Sequence, residues 1–350
     1  MTNDQTPAAL GFSMPAEWTP HERTWMAFPT SNDTFVGDEL HLARQAWANV
    51  ANTIVRYEPV TLIANTGEGE TAKQYLSPEV EVVERPLDDA WMRDIGPTFL
   101  TDGKGSVAAA DWIFNGWGAQ DWASWEHDQH IAEEITELTS VRRFASRLIN
   151  EGGGIHVDGE GTVLLTETVQ LGEGRNSDWT KEQVEAEIHA FLGTTKAIWV
   201  PRGLTRDYQR YGTRGHIDIV AAFLRPGTVV VHSQPDPAHP DFEVTREIVE
   251  LLRNSTDAQG RRLEVVELLA PTVLFEEGPE GPEPVDYSYI NHYLCNGAVI
   301  LCAFDDERDQ LAAEVFAKAF PDRKVELVDA REIFANGGGI HCITQQQPRG

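Results

Sequence analysis

Cys342 is the residue of this chain best suited to covalent chemistry. It follows three glycines and an Ile-His pair in the segment NGGGIHCIT. Glycine lets a backbone take unusual angles and lets another group approach closely, so a thiol in this setting is predicted to be presented to a ligand. Cys295 and Cys302 lie in apolar strand patterns, where cysteine is usually a small buried hydrophobe. The sequence therefore favours Cys342 as a nucleophile.

A histidine and a carboxylate, His216 and Asp218, form an H-x-D pair at the start of the apolar segment 219–224. If the pair belongs to that strand, residues i and i+2 point to the same face. A general acid/base would then lie beside a carboxylate that binds the substrate. The alternative is a metal pair with His156 and His341 as further ligands, since both residue types ligate zinc or iron. These residues show no recognised metal-ligand spacing, so no metal is predicted.

Two more carboxylates could bind or orient a cation. Asp94 shares the segment DDAWMRDIGPTF with Trp91, and a carboxylate beside an aromatic ring could hold a flat cation. The alternative is an aspartate that only caps a turn. Glu151 precedes three glycines and gains a role if it orients a catalytic histidine. Together with Cys342 and His216, this set fits attack by a thiolate on a guanidinium carbon.

Strands and helices in alternation must position these residues, which predicts an α/β fold. Apolar, β-branched segments predict strands at 60–64, 162–169, 219–224, 228–232, 263–269 and 298–304. Helical patterns occupy 38–57, 181–193 and 305–321. The acidic, proline-containing segment 276–284 is predicted to be an exposed loop.

Polar residues next to a glycine or a strand recur along the chain with a loose period. They are Asp94, Glu151, His216, Asn291 and Cys342. The gaps between them are 57, 65, 75 and 51 residues, and the string GGGIH occurs at both 152–156 and 337–341. Diverged repeats of this length suggest a closed ring of small sheet-and-helix units. Equivalent strand ends would then converge near the axis of the ring and form a site there.

The formal net charge of −28 argues against nucleic acid or an anionic membrane as partner, because phosphate binding needs a basic face. The charge would attract a small cationic substrate, although a solvated acidic surface explains it equally well. No apolar run reaches the length of a membrane span. The first residues, MTNDQTPAALGF, have neither the basic nor the apolar part of a secretory signal. The three cysteines are an odd number and do not suggest a set of disulfide bonds. A cytoplasmic protein is expected, and a homo-oligomer is left open.

In its motifs the chain resembles the agmatine deiminase and bacterial-type peptidylarginine deiminase family of the guanidine-modifying superfamily. The matching segments cover nearly the whole chain and lie at 14–29, 88–99, 151–167, 175–176, 215–218, 290–300 and 336–348. The resemblance implies a pentein fold, which is a five-bladed α/β propeller with pseudo-fivefold repeats, as a single domain over 1–350. It also implies that no metal or organic cofactor takes part.

The resemblance further implies a role for each matching residue. Cys342 would attack the guanidinium carbon, His216 would be the general acid and base, and Glu151 would orient His216. The substrate-binding residues would be Asp94, Asp218 and Trp91. Ammonia would leave from a tetrahedral adduct, and water would release a urea-type product from the covalent thiouronium. Agmatine would give N-carbamoylputrescine, a step of putrescine biosynthesis, and arginine would give citrulline.

One segment departs from the family pattern. Many agmatine deiminases carry an acidic residue shortly before the GHVD or GHID motif, whereas this chain has Gly212 and Arg214 there and its nearest carboxylate is Asp207. Arg214 is therefore a candidate ligand for a substrate carboxylate, or it faces solvent or a neighbouring acid. Agmatine leads as the expected substrate. Arginine, another guanidino acid, peptidyl-arginine, an amidinotransferase reaction and a non-catalytic binding protein are the alternatives.

Overall fold

A computed structural model describes residues 5–35, 37–278 and 281–350 of the chain. The strands are β1 (His21–Ala27), β2 (Val60–Ala64), β3 (Glu81–Glu84), β4 (Thr98–Thr101), β5 (Val107–Ile113), β6 (Arg142–Ile149), β7 (Ile155–Val157), β8 (Thr162–Thr166), β9 (Lys196–Val200), β10 (Ala221–Arg225), β11 (Thr228–Ser233), β12 (Glu264–Leu269), β13 (Phe275–Gly278), β14 (Gly281–Pro284), β15 (Tyr293–Cys295), β16 (Ala298–Ala303), β17 (Lys324–Asp329) and β18 (Thr344–Pro348). The helices are α1 (Asp38–Ile54), α2 (Gly69–Ala72), α3 (Met92–Ile95), α4 (Gly116–Ala119), α5 (Ile131–Thr139), α6 (Glu167–Gln170), α7 (Lys181–Leu192), α8 (Asp241–Asn254), α9 (Asp309–Ala319) and α10 (Arg331–Ala335). The predicted α/β class is confirmed.

Five of the sheets formed by the described residues share one pattern, in which an antiparallel pair is followed by a parallel pair. Their strand orders are β4-β5-β6, β7-β8-β9, β10-β11-β12, β15-β16-β17 and β18-β1-β2-β3. A parallel pair needs a long crossover. The crossovers of the five units contain α5, α7, α8, α9 and α1, respectively. In the last sheet β18 pairs with β1, so this unit is built from distant parts of the sequence.

Helix α7 shows how local sequence sets these elements. The Thr180 side chain accepts a hydrogen bond from the Gln183 N–H, and the Gln183 side chain accepts one from the Thr180 N–H, which forms a capping box. Gly193 ends the helix at φ +67°, a left-handed conformation that glycine adopts readily. Val184 and Ile188 lie one turn apart and are both buried against the sheet side of the helix.

Each of the five sheets begins just after a short turn that carries one of the recurring polar residues. The turns hold Asp94 in α3 before β4, Glu151 before β7, His216 before β10, Asn291 before β15 and Cys342 before β18. The five residues therefore occupy equivalent positions in the repeated units, as their spacing predicted.

Two local predictions are wrong. Much of the segment 276–284 belongs to an antiparallel hairpin, β13-β14, rather than to a loop. Its prolines are tolerated because a two-stranded sheet has only edge strands. The H-x-D pair does not lie on a strand, because a single 3₁₀ turn at Ile217–Ile219 separates His216 from β10. Among the residues that the structure describes, no helix is both long and apolar enough to cross a membrane.

Candidate active site

The thiol of Cys342 is buried, with 3% of the residue exposed, and lies between an amide and a carboxylate. The Asn291 side chain donates a hydrogen bond from Nδ2 to Sγ at 3.2 Å, and Asp218 Oδ2 lies 3.6 Å from Sγ. The orientation of the Asn291 amide is set by its oxygen, which accepts from the backbone N–H groups of His341 and Cys342. The amide N–H therefore points at the sulfur, where it can stabilise a thiolate. The sequence singled out Asn291 by its spacing but assigned it no role.

Burial raises the pKa of the Cys342 thiol well above its usual value, and the charges of Asp218 and Asp94 raise it further. The resting sulfur therefore keeps its proton at neutral pH. A cation bound against these two carboxylates would offset their charge and lower the thiol pKa.

His216 is enclosed by carboxylates and almost fully buried. Its Nε2 lies 3.2 Å from Glu151 Oε2, and its Nδ1 lies 3.8 Å from Asp94 Oδ1. Burial alone would lower the pKa of His216, but the charges of Asp94, Glu151 and Asp218 raise it to about 9. Nδ1 has no hydrogen-bond partner among the described residues. The imidazolium therefore has a proton to give at Nδ1.

Glu151 is held by a second cation that the sequence did not assign. Arg175 Nε donates to both carboxylate oxygens of Glu151, at 3.0 and 3.1 Å, and its Nη2 donates to the Thr213 carbonyl at 2.7 Å. Burial raises the pKa of Glu151, but Arg175 and His216 outweigh it and lower the value to about 2. Glu151 is thus a fixed anion against one edge of the His216 ring. Arg175 lies in the RN pair at 175–176, one of the segments that match the family, but no role was assigned to this residue from the sequence.

Asp94 and Asp218 supply the remaining negative charge. Asp94 accepts hydrogen bonds from Trp117 Nε1 at 2.9 Å and from the Gly153 N–H at 3.1 Å. Burial raises the pKa of Asp94 to about 6, although the His216 charge opposes it. Asp218 Oδ2 accepts from His341 Nδ1 at 2.8 Å, while Oδ1 is buried without a partner in the described part of the chain. A planar cation with several N–H groups suits this arrangement.

The glycine runs allow the side chains to converge. A Cβ at Gly153 would lie 2.3 Å from His216 Nδ1 and 3.1 Å from Asp218 Oδ2. A Cβ at Gly338 would lie 2.8 Å from the Trp91 ring and 3.0 Å from Cys342 Sγ. His216 and Asp218 therefore meet over Gly153, and Trp91 lies beside the sulfur across Gly338. Close approach accounts for glycine at both positions.

The turn that carries His216 is tied down by Asp207, which the sequence noted only as a distant carboxylate. Asp207 accepts hydrogen bonds from the backbone N–H groups of Thr213, Gly215 and His216. Arg214 is half-buried, and its Nη1 donates to the Glu173 carbonyl at 3.1 Å and the Gly118 carbonyl at 3.4 Å. The backbone N–H of Arg214 also donates to the Asp207 carbonyl at 2.8 Å. The Arg214 cation thus braces the turn next to Trp117.

The alternative of a metal pair finds no support in the geometry. Within residues 5–35, 37–278 and 281–350, no group of three or more His, Cys, Asp or Glu side chains is arranged to hold a metal ion. His156 Nδ1 accepts the Phe223 N–H, and both nitrogens of His341 face carboxylates. That no metal takes part stays a prediction.

The chain is similar to known proteins over nearly its whole length. Residues 13–348 match the family model for Porphyromonas-type peptidyl-arginine deiminase. A Streptomyces avermitilis protein named "Putative agmatine deiminase" is 65% identical over 347 residues, which cover 98% of this chain and 99% of that protein. The agmatine deiminase of Medicago truncatula is 38% identical over 372 residues, with 99% and 98% covered. The solved structure of the agmatine deiminase of Enterococcus faecalis has a TM-score of 0.93 at 33% identity and covers 98% of each chain.

Proposed function

The chain belongs to the Porphyromonas-type peptidyl-arginine deiminase family, and from this membership we propose that it is an agmatine deiminase. In this proposal it hydrolyses the guanidinium group of agmatine to give N-carbamoylputrescine and ammonia. The observation that carries the proposal is the buried cluster of one thiol, one imidazole and three carboxylates. Two polar atoms of the cluster, His216 Nδ1 and Asp218 Oδ1, have no hydrogen-bond partner among the residues that the structure describes, and a bound guanidinium and its leaving nitrogen would engage them.

The same proposal includes the finer architecture. The five sheets would be the blades of a pentein propeller that forms a single domain over 1–350. Their common strand pattern and the approach of turn residues from separate units to one cluster support this arrangement. A site built in this way draws one residue from each blade.

The proposed reaction starts when Asp94 and Asp218 bind the guanidinium, whose charge helps the Cys342 thiol to ionise and release its proton to solvent. The sulfur forms a bond to the guanidinium carbon and gives a tetrahedral adduct. One C–N bond then breaks, and the nitrogen leaves as ammonia with a proton from His216, which leaves a thiouronium on the sulfur. Neutral His216 next takes a proton from water as the oxygen adds to the same carbon. Breakage of the C–S bond frees the urea-type product, and the proton left on the added oxygen leaves with ammonia as ammonium. The thiolate then takes a proton from solvent, which restores the resting thiol.

We expect kcat/KM to follow a bell-shaped pH profile with limbs near pH 6 and pH 9. Below the pKa of Asp94, about 6, the carboxyl is neutral and no longer pairs with the guanidinium. Above the pKa of His216, about 9, the imidazole lacks the proton that ammonia needs on leaving. Because the groups interact, the limbs report the cluster as a whole. Ammonia release measured from pH 4.5 to 10.5 tests this, and a flat profile between pH 5 and 7 would contradict the Asp94 assignment.

The proposed substrate is tested by an ammonia-release screen over agmatine, arginine, 4-guanidinobutyrate and short arginyl peptides. We expect the highest kcat/KM with agmatine. Mass analysis of the product separates hydrolysis from amidino transfer, because a transferase passes the amidino group to an added amine and releases no ammonia. If guanidines bind but are not turned over, and a haloacetamidine does not label Cys342, the result would instead favour a non-catalytic binding protein.

Arg214 remains a candidate for contact with the substrate, but its hydrogen bonds predict a bracing role. We expect Arg214→Glu to lower kcat/KM for agmatine and for 4-guanidinobutyrate together, because the turn beside Trp117 loses its anchor. The ratio of the two values should move by less than about threefold. Arg210→Glu makes the same charge change at an exposed neighbour and serves as the control. A change of ratio above about tenfold in favour of agmatine would show that Arg214 reaches the substrate.

We expect activity to survive exhaustive chelation, because His216 rather than a Lewis acid activates water in this reaction. Ammonia release is compared before and after dialysis against EDTA. Loss of activity that zinc or manganese restores would revive the metal alternative.

The other partner and location predictions remain proposals. The enzyme would act in the cytoplasm on a small cationic guanidino substrate, without nucleic acid or a membrane as partner. A homo-oligomer stays open, and gel filtration with light scattering decides it.

A further inference from the structure

A chain of buried ionisable groups lies behind Asp218 and takes no part in the proposed reaction. His341 Nδ1 lies 2.8 Å from Asp218 Oδ2, and His341 Nε2 lies 2.9 Å from Glu17 Oε2. Glu17, His341 and Asp218 are 6%, 4% and 1% exposed, so water does not screen these contacts. The other Glu17 oxygen accepts the Leu294 N–H at 2.7 Å, which fixes the carboxylate from β15.

The geometry favours a doubly protonated ring at His341. Each ring nitrogen faces a carboxylate oxygen, and only an imidazolium has an N–H to donate to both. Burial and the nearby Arg93 would lower the pKa of His341, but Glu17 and Asp218 outweigh them and raise it. Arg93 Nη2 lies 3.8 Å from Glu17 Oε2, and the His156 ring centroid lies 6.2 Å from that of His341. Alternating charges therefore run from Arg93 through Glu17 and His341 to Asp218.

This arrangement determines which oxygen of Asp218 is free. Oδ2 is occupied by His341, whereas Oδ1 is buried without a partner in the described part of the chain. The Glu17 charge helps to keep the His341 ring protonated, because it raises the pKa of that ring. Without this charge the ring would lose a proton more easily, and a neutral ring would no longer hold the Asp218 carboxylate by an ion pair. Loss of the Glu17 charge would therefore weaken the hold on Asp218 although Glu17 does not bind the substrate.

We propose that Glu17 and His341 are positioning residues that keep Asp218 ionised and turn its Oδ1 towards the guanidinium. The inference rests on the proposed function of Asp218 as a guanidinium ligand. It assigns to Glu17, which the His341 ring separates from Asp218, control over how strongly the site holds a flat cation. The Glu17 carboxylate holds the His341 ring, and the ring in turn holds Asp218.

Alkylation of Cys342 by two reagents tests this inference without depending on turnover. A chloroacetamidine is a planar cation that needs the carboxylates, whereas iodoacetamide is neutral. The readout is the ratio of their second-order rate constants, cationic over neutral, in Glu17→Gln, His341→Asn and the reference Asp218→Asn. We expect the ratio to fall about 10- to 100-fold in Glu17→Gln and His341→Asn, the range seen when the outer partner of a metal ligand is lost. In Asp218→Asn, which loses the binding group itself, the ratio should fall at least as far. The rate with iodoacetamide should change little in Glu17→Gln and His341→Asn.

Two matched variants control for the loss of a buried polar contact. Asp257 is a buried carboxylate that pairs with Arg261 in a turn outside the cluster. His239 is a buried histidine whose Nδ1 accepts the Asp241 N–H. Asp257→Asn and His239→Asn should lower Tm but keep the wild-type ratio.

The outcomes separate the inference from the function on which it rests. If Glu17→Gln and His341→Asn lose thermal stability like the controls and keep the wild-type ratio, the pair is only structural and the inference fails. If the wild-type ratio equals that of Asp218→Asn, the function of Asp218 itself is wrong. If Glu17→Gln does not fold, Glu17→Asp keeps the charge at a greater distance and should show a smaller fall in the ratio. An unchanged ratio in that variant would overturn the inference.

Discussion

Replacing Cys342 with serine should abolish ammonia release from agmatine while the protein stays folded. Serine is nearly the same size, but its hydroxyl is far less ionised than a thiol at neutral pH and is a poorer nucleophile towards a guanidinium. The Asn291 amide, which points at the sulfur from 3.2 Å, cannot compensate for that difference. We expect a fall in kcat of about 10⁴-fold or more, the scale reported when a covalent nucleophile is removed.

The measurement is single-turnover and steady-state ammonia release, with Tm and circular dichroism to verify the fold. Cys295→Ala is the control, because this thiol is also buried but packs in the hydrophobic core, where it donates to the Ala298 carbonyl. It should lose some stability from the small cavity and keep its activity. Activity of Cys342→Ser within about tenfold of the wild type would refute the nucleophile assignment.

Replacing Asp94 or Asp218 with asparagine should cost roughly 10²- to 10⁴-fold in kcat/KM, which corresponds to about 3–5 kcal/mol for breaking a buried charge pair. Each substitution removes a charge that the guanidinium needs. At position 94 the damage is greater, because the carboxylate accepts from both the Trp117 and the Gly153 N–H groups. An amide there must direct its own N–H at one of these donors or turn away from the site.

Steady-state kinetics with agmatine tests both variants. The pH profile of kcat/KM gives a second readout for Asp94→Asn, because the acid limb should disappear in that variant. Asp257→Asn is the control, since this buried carboxylate pairs with Arg261 in a turn outside the cluster. It should lower Tm and leave kcat/KM unchanged. A near-normal kcat/KM in either site variant would make that residue structural and remove it from the substrate site.

The local sequence determined the class of fold and most residues of the cluster. Segments such as 60–64 and 228–232 became strands because β-branched apolar residues pack well on a sheet, and α7 carries its own start and stop signals. The recurring polar residues could be found because each lies in a turn just before the first strand of a sheet. Such signals depend on a few neighbouring residues and are therefore readable without the fold.

Tertiary structure alone decided which atoms of those residues are free and what holds the rest. Arg175 and Asn291 orient the reacting groups through contacts between residues that are 24 and 51 positions apart. Asp207 fixes the His216 turn from only nine positions away, but no local pattern marked that contact either. The Glu17–His341 contact joins residues 324 positions apart, and no local pattern reports a contact over such a distance. The direction of Arg214, which the sequence left open, depends on two backbone carbonyls that fold up beside it. Charge and hydrogen bonding in a buried site are set by all the groups packed around it, so they emerge only once the five units are assembled.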